Sequence, residues 1–385
     1  MKTFNFIKIQ FVFFFILCAC IVVFVVKNNI IPLGEQHKVD HSSMTKASNI
    51  QFTQNQNQNN LLKADGPLTG SMSNKINELL QRIHFNGVVL VNKDGEDVIK
   101  KGYGYRDIAN KLPNSPETNY AVGSISKFFV STSLMQLKEK GLISLNDPIT
   151  KYIPNFPNGS KLTLFHLMTH TSGVKGEKEL SNPISTKNLI NKIILLNKGY
   201  KPIFNWKYND TNYVLLAYVV EKVTGMSYQE YLKSHVLNPA NIDQLGVGDH
   251  FYQLSNRAKG YRLILNNNQT PHSVTMPSFS YMLGCGDIYG TVNGLLQMDE
   301  ALVSNKLIST DSFKQMTTPF KHSYGYGLYN KGKFLYNHGV LPGVDCMNLF
   351  DPKSKTYVIL FTNSQKMKPN TFKVAASIFN LVSSN

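Results

Sequence analysis

Hydrophobic and polar positions fall into three regimes along the chain. From Ile9 to Val26 the residues are almost wholly apolar, with Lys2 and Lys8 before the run and Lys27 closing it. Eighteen such residues approach the roughly 20 that span a bilayer as a helix, and the leading lysines favour an inside N-terminus. Residues 1–8 are therefore expected as a cytoplasmic lead and 9–27 as a transmembrane anchor or signal segment. No Ala-x-Ala cleavage site follows the run, which favours the anchor over a removed signal. Leu17-Cys18-Ala19-Cys20 resembles a lipoprotein cleavage box, but the apolar run continues beyond it.

Residues 28–72 are polar, and the stretch from Gln51 to Asn60 is mostly Gln and Asn. Such a segment buries too little apolar surface to order itself and reads as a tether. From residue 73 onward the periodicities of folded elements begin. Ile76, Leu79, Leu80 and Ile83 repeat at helical spacing. Gly87 to Val91 predicts a buried strand, Lys93-Asp94-Gly95 a turn, and Asp97 to Tyr105 a second strand. The run Phe128, Phe129, Leu134, Met135 and Leu137 predicts a helix ending near Gly141. Thr163 to Gly173 reads as another, with Thr163 as N-cap and Gly173 as stop. Val214 to Thr224 is a further helix. Strands follow at 333–336, 344–350 and 356–362, then an amphipathic helix over 371–382. Strands at both ends with helices between predict one sheet built from both ends of residues 73–385, around a helical insert at about 146–290.

Composition narrows the function. The chain has 385 residues, a net charge of +16 and a pI near 9.4. Its positive residues are scattered, without the Arg-rich or aromatic-interleaved pattern of nucleic-acid binding, so a nucleic-acid partner is not expected. Four cysteines, Cys18, Cys20, Cys285 and Cys346, make no disulfide framework. His166 and His170 stand four apart with no acidic third ligand nearby. They read as structural histidines, and no metal or cofactor is expected.

The chemistry centres on Ser124-Ile125-Ser126-Lys127. On a helix, Ser124 and Lys127 lie one turn apart on one face. A serine hydroxyl needs a base to become a nucleophile, and a lysine serves as that base only if its pKa falls. Phe128 and Phe129 offer a dry setting. Later, Tyr208-Asn209-Asp210 precedes a helix: the phenol suits a proton relay and the carboxylate a hydrogen-bond acceptor or base, though Asp210 alone also reads as a helix-start residue. Near the C-terminal end comes Asn337-His338-Gly339.

In this order, Ser124-x-x-Lys127, Tyr208-Asn209-Asp210 and Asn337-His338-Gly339 resemble the three active-site motifs of serine penicillin-recognising enzymes. The nearest likeness is the class C β-lactamase-like branch, with its penicillin-binding proteins and esterases. Gly102-Tyr103-Gly104-Tyr105, the run from His166 to Gly173, Asn212 to Leu216 and Val223 to Tyr228 are similar to the same branch. The resemblance covers roughly 75–382. It implies an α/β (α+β) sandwich, with a central antiparallel sheet flanked by helices and a mostly helical subdomain. It also implies an acyl-enzyme on Ser124, and an oxyanion hole from Ser124 and Val340.

Two departures stand out. Asp210 replaces the family's usual Asn, and the third motif lacks its leading Lys or His. Aligning on Val340-Leu341-Pro342-Gly343 puts Asn337 in the cation's place; sliding by one puts His338 there and loses Gly339. Both departures are similar to FmtA-type proteins, membrane-associated D-amino-acid esterases that remove D-alanine from teichoic acids. The expected partners are accordingly an anionic cell-wall polymer, teichoic acid above all, or a peptidoglycan stem peptide, and β-lactams. The place is the cell membrane with the catalytic body outside. The alternatives are a D,D-carboxypeptidase or weak β-lactamase, and a wall-binding protein without catalysis.

Overall fold

The computed structural model describes residues 71–384, apart from 177–178, 264–270 and 366; the predicted anchor and nearly all of the predicted linker lie outside the described residues. The chain enters on α1 (Met72–Arg82), whose N-cap Ser71 accepts a hydrogen bond from the Asn74 backbone. Strands β1 (Gly87–Lys93) and β2 (Glu96–Tyr103) form the predicted hairpin. The second strand stops two residues short of the expected end because Gly104 turns the backbone to a φ of +60°.

After the central region, β3 (Tyr329–Asn330), β4 (Leu335–Leu341), β5 (Val344–Asp351) and β6 (Thr356–Thr362) complete one sheet. Its order is β3-β4-β5-β6-β1-β2, antiparallel throughout. Residues from both ends of the described region thus share one sheet. Strand β1 lies between β6 and the edge strand β2, and its continuous Val-Val-Leu-Val run is buried on both faces. Val89 and Val91 pack with α1 and the last helix α2 (Thr371–Ser383). Val88 and Leu90 face the larger cluster on the other side.

That cluster contains the helix that follows Ser124 directly and carries Lys127, Ser126–Glu139, here called the central helix. Twelve of its residues, Ser126 to Leu137, are buried, which explains its weak amphipathicity: a helix covered all round needs no polar stripe. Against it lies the long helix Thr211–Thr224, stopped at Gly225 with φ +72°. The helical region also includes Leu164–Met168, Thr186–Leu196 and Val292–Val303, with short two- and three-stranded sheets between. Thr163 is the N-cap expected of it, bonded to the His166 backbone. That helix ends at Met168 rather than Gly173, because the Thr169 hydroxyl turns back onto the Phe165 carbonyl and His170 adopts a left-handed φ of +56°.

Candidate active site

Ser124 lies in a single 3-10 turn, Gly123–Ile125, that runs directly into the central helix. Gly123 has φ +55°, a value L side chains rarely adopt, and it starts the turn. Lys127 follows one turn later with 1% of its side chain exposed. Its ammonium Nζ donates to Ser124 Oγ at 2.9 Å and to the Cys285 carbonyl at 3.0 Å. The Asp210 Oδ1 atom is 2.6 Å away. The Tyr208 ring lies 5.0 Å from the Lys127 ammonium, and its hydroxyl is close enough to Lys127 and Ser124 for both to favour its ionised form. The structure thus joins the first two motifs around one ammonium, across more than eighty residues of sequence.

This arrangement departs from the expectation for Lys127. Burial is the largest influence and lowers a lysine's proton affinity, but the opposing pull of the Asp210 carboxylate at 2.6 Å leaves the group above the ordinary lysine range. Lys127 is a fixed cation at neutral pH rather than a free base. Burial also keeps the Tyr208 phenol protonated, raising it above its usual value although Lys127 pulls it back down. Asp210 occupies the N-cap position of the long helix, yet its side chain makes no capping bond and turns to Lys127 instead.

Two further groups complete the electrostatics, and neither had been picked out for chemistry. His170 is fully buried and its ring lies 4.3 Å from that of Tyr208. Its Nδ1 accepts from the Asn209 backbone at 3.2 Å and from Asn212 Nδ2 at 3.0 Å. That leaves Nε2 to donate to Tyr324 Oη at 3.1 Å, which donates to Tyr213, which donates to the Met168 carbonyl. Burial, with Lys127 adding to it, pushes His170 down to about 3, so the ring is neutral and wedges Tyr208 in place. His166 instead caps its own helix through Nδ1 on the Thr163 backbone. Glu179 is a carboxyl held near 7 by burial and by Asp210, with Lys127 opposing.

The third motif lies on β4. Side chains alternate along a strand: Leu335 and Leu341 join the cluster beneath the central helix, and Tyr336 joins the opposite one. Asn337 and Gly339 therefore face the nucleophile's side, as in the register that sets Asn337 in the cation's place. His338 faces α2, where its Nε2 is 2.8 Å from Asp345 Oδ1, an atom also bonded by the Thr371 hydroxyl. It is not among the groups gathered around Ser124. Asn337 is 2% exposed and its amide has no hydrogen-bond partner among the described residues. Across the ladder it pairs with Asn348, which donates to the buried Asp299 at 3.0 Å. No cation stands at this position. Gly339 packs against the nucleophile turn, and Val340 N is 2.9 Å from where a Gly123 Cβ would lie.

A Cβ on Gly339 would lie 1.7 Å from the Val122 carbonyl oxygen and 3.0 Å from the Ser124 nitrogen. Backbone atoms on both sides leave no flexible neighbour to yield. Gly339→Ala should separate β4 from the nucleophile turn, costing about 1–3 kcal/mol of stability and nearly all hydrolysis. Thermal melts and ester turnover check this; full turnover in the variant would contradict the packing.

With this geometry in place, the comparisons are decisive. A β-lactamase family model matches residues 72–382. The chain belongs to the β-lactamase family. Among similar sequences, the protein named as penicillin-binding protein PbpX of Bacillus subtilis (strain 168) is 37% identical over 298 residues, covering 77% of this chain and 75% of PbpX. The teichoic acid D-alanine hydrolase of Staphylococcus aureus (strain MRSA252) is 33% identical over 278 residues, covering 71% of this chain and 67% of its own. The crystal structure of FmtA from Staphylococcus aureus superposes with a TM-score of 0.72 at 27% identity, covering 80% and 86% of the two chains. The D-amino acid amidase of Ochrobactrum anthropi SV3 shares the fold, with a TM-score of 0.67 at 20% identity. This β-lactamase-family chain is a serine hydrolase.

Proposed function

We propose that this β-lactamase-family hydrolase is a D-amino-acid esterase that removes D-alanine from teichoic acid, working outside the cell membrane on an N-terminal tether. The observation that carries the reading is a site with a carboxylate, Asp210, beside the nucleophile and a neutral, buried amide, Asn337, where a cation would hold a substrate carboxylate. A peptide ending in D-Ala-D-Ala offers a carboxylate and has no cation to meet. A D-alanyl ester offers an ammonium instead. The Asp210 side chain, 20% exposed against 1% for Lys127, is the open member of the pair. The hydrolase named for teichoic acid D-alanine supports the same substrate class, and the net charge of +16 suits a phosphate polymer. Residues 9–27 would supply the anchor and residues 28–72 the tether. Among the described residues no helix is long and apolar enough to cross a membrane.

The mechanism follows from which groups hold protons. Lys127 is already charged, so the Ser124 proton passes to the Tyr208 oxygen while Tyr208 gives its own proton to the departing polyol oxygen. Ser124 Oγ forms the new ester bond to the D-alanyl carbonyl carbon, and the carbon–polyol oxygen bond breaks. The Lys127 ammonium stabilises negative character on both Tyr208 and Ser124 throughout. Backbone N–H groups of Ser124 and Val340 receive the oxyanion. In the second half, water attacks the acyl-enzyme, and its proton returns through Tyr208 to Ser124 Oγ. The net reaction consumes one water and yields D-alanine and the free hydroxyl.

The test is D-alanine release from D-alanylated teichoic acid by wild type and Ser124→Ala. Release by the wild type alone is expected. Equal release would remove the reading, and turnover confined to D-Ala-D-Ala peptides would favour the carboxypeptidase.

A further inference from the structure

One surface beside the cleft is built unlike the rest. From Ser181 to Asn209 the sequence has five lysines, Lys187, Lys192, Lys198, Lys201 and Lys207, and no Asp or Glu. Large apolar side chains stand out of the same stretch: Leu195 is 57% exposed, Leu196 40%, Ile203 62% and Phe204 40%. Single exposed leucines are ordinary, but several large apolar side chains exposed in one short stretch, among charges of one sign, mark an interaction surface.

The stretch is fixed from within. The helix Thr186–Leu196 buries Leu189, Ile190 and Ile193 and turns Leu195 and Leu196 outward. Asn197 then exchanges hydrogen bonds with the Lys175 backbone. The Tyr200 hydroxyl donates to the Ser172 carbonyl, and Asn158 donates to the Tyr200 carbonyl. The apolar tips are thus presented by a pinned loop. Phe204 stacks on His166 at 4.2 Å, and beyond His166 the ring of Phe165 meets Phe320, itself 46% exposed, at 5.0 Å. The patch therefore extends to a second loop, with exposed Lys321 beside it.

We infer that this patch docks on an anionic lipid bilayer, with Leu195, Leu196, Ile203 and Phe204 entering the headgroup boundary and the lysines meeting lipid phosphates. Charge complementarity excludes a cationic partner. A hydrated polyol-phosphate polymer would pair with the lysines but would leave the apolar tips in water. A bilayer interface satisfies both halves of the composition. The stretch runs without interruption into Tyr208 and Asp210, so docking would hold the cleft against the membrane surface and select ester groups close to it. This goes beyond the substrate reading and does not depend on it.

The chain contains one tryptophan, Trp206, inside the patch and packed on His322 at 4.5 Å. The full chain, reconstituted into vesicles, therefore reports this surface alone, with the apolar run at 9–26 silent. Vesicles of phosphatidylglycerol and phosphatidylcholine carrying brominated acyl chains should quench Trp206. Quenching should be lost in phosphatidylcholine alone and weaken as salt screens the charge. Leu195→Ser with Ile203→Ser, and separately Lys198→Gln with Lys201→Gln, should lose it while melting like the wild type. Unquenched Trp206 in anionic vesicles overturns the inference, as does quenching undiminished from wild type in either variant. A shift of Trp206 emission with soluble teichoic acid but none with bromolipid would assign the patch to the polymer and also overturn it.

Discussion

Replacing Asp210 by alanine is expected to destabilise the catalytic body by about 3–5 kcal/mol, because it leaves a buried ammonium without its counter-ion. Lys127 is 1% exposed and cannot turn to water, so it must stay charged at high cost or give up its proton. Lys127→Met should cost less, since Asp210, with 20% of its side chain exposed, can still be hydrated. The double variant Lys127→Met/Asp210→Ala should recover much of the loss, because it removes both charges together. Hydrolysis should fall by at least about 100-fold in all three, since each disturbs the cation that steadies charge on Ser124 and Tyr208. Denaturant unfolding of the four proteins measures the coupling. Additive losses would show that the 2.6 Å contact is not the interaction that keeps this pocket together.

The same pair shows where sequence reasoning succeeds and where it stops. Ser124 and Lys127 are legible because their contact is local: three residues on one helical turn. The Gly87–Val91 strand is legible because a fully apolar run of that length suits only a strand covered on both faces, which β1 is. The proton state of Lys127 is not legible. Its surroundings suggest a lowered pKa until the loop from a distant helix brings in Asp210. The Cys285 carbonyl is invisible for another reason: a backbone acceptor has no residue signature. His170 could be found only as one of two histidines four apart. The split between them, one capping a helix and one wedging Tyr208, depends on the left-handed turn at His170. The third motif is half legible. Two-residue periodicity separates Asn337 and Gly339 from His338, but the direction of the strand's faces comes from Leu335, Tyr336 and Leu341 meeting their clusters.

Tyr208→Phe is expected to lower kcat/KM for D-alanyl polyol esters by about 100- to 10,000-fold, the range of positioned proton transfer. A polyol alkoxide is a strong base and cannot depart without a proton. In this site the phenol beside both Ser124 and Lys127 is the group placed to supply it. The loss should shrink as the leaving group becomes less basic, and be smallest for a nitrophenyl ester, whose phenolate departs unaided. All these esters share one acyl-enzyme, so kcat/KM isolates the first half of the reaction. The ring should remain seated, since its contact with His170 involves the ring face and not the hydroxyl. Unchanged melting therefore separates lost proton transfer from lost packing. A uniform loss across leaving groups would mean that Tyr208 serves only the attack of Ser124. No loss at all would return the role of base to Lys127, with a proton lost when substrate covers the pocket.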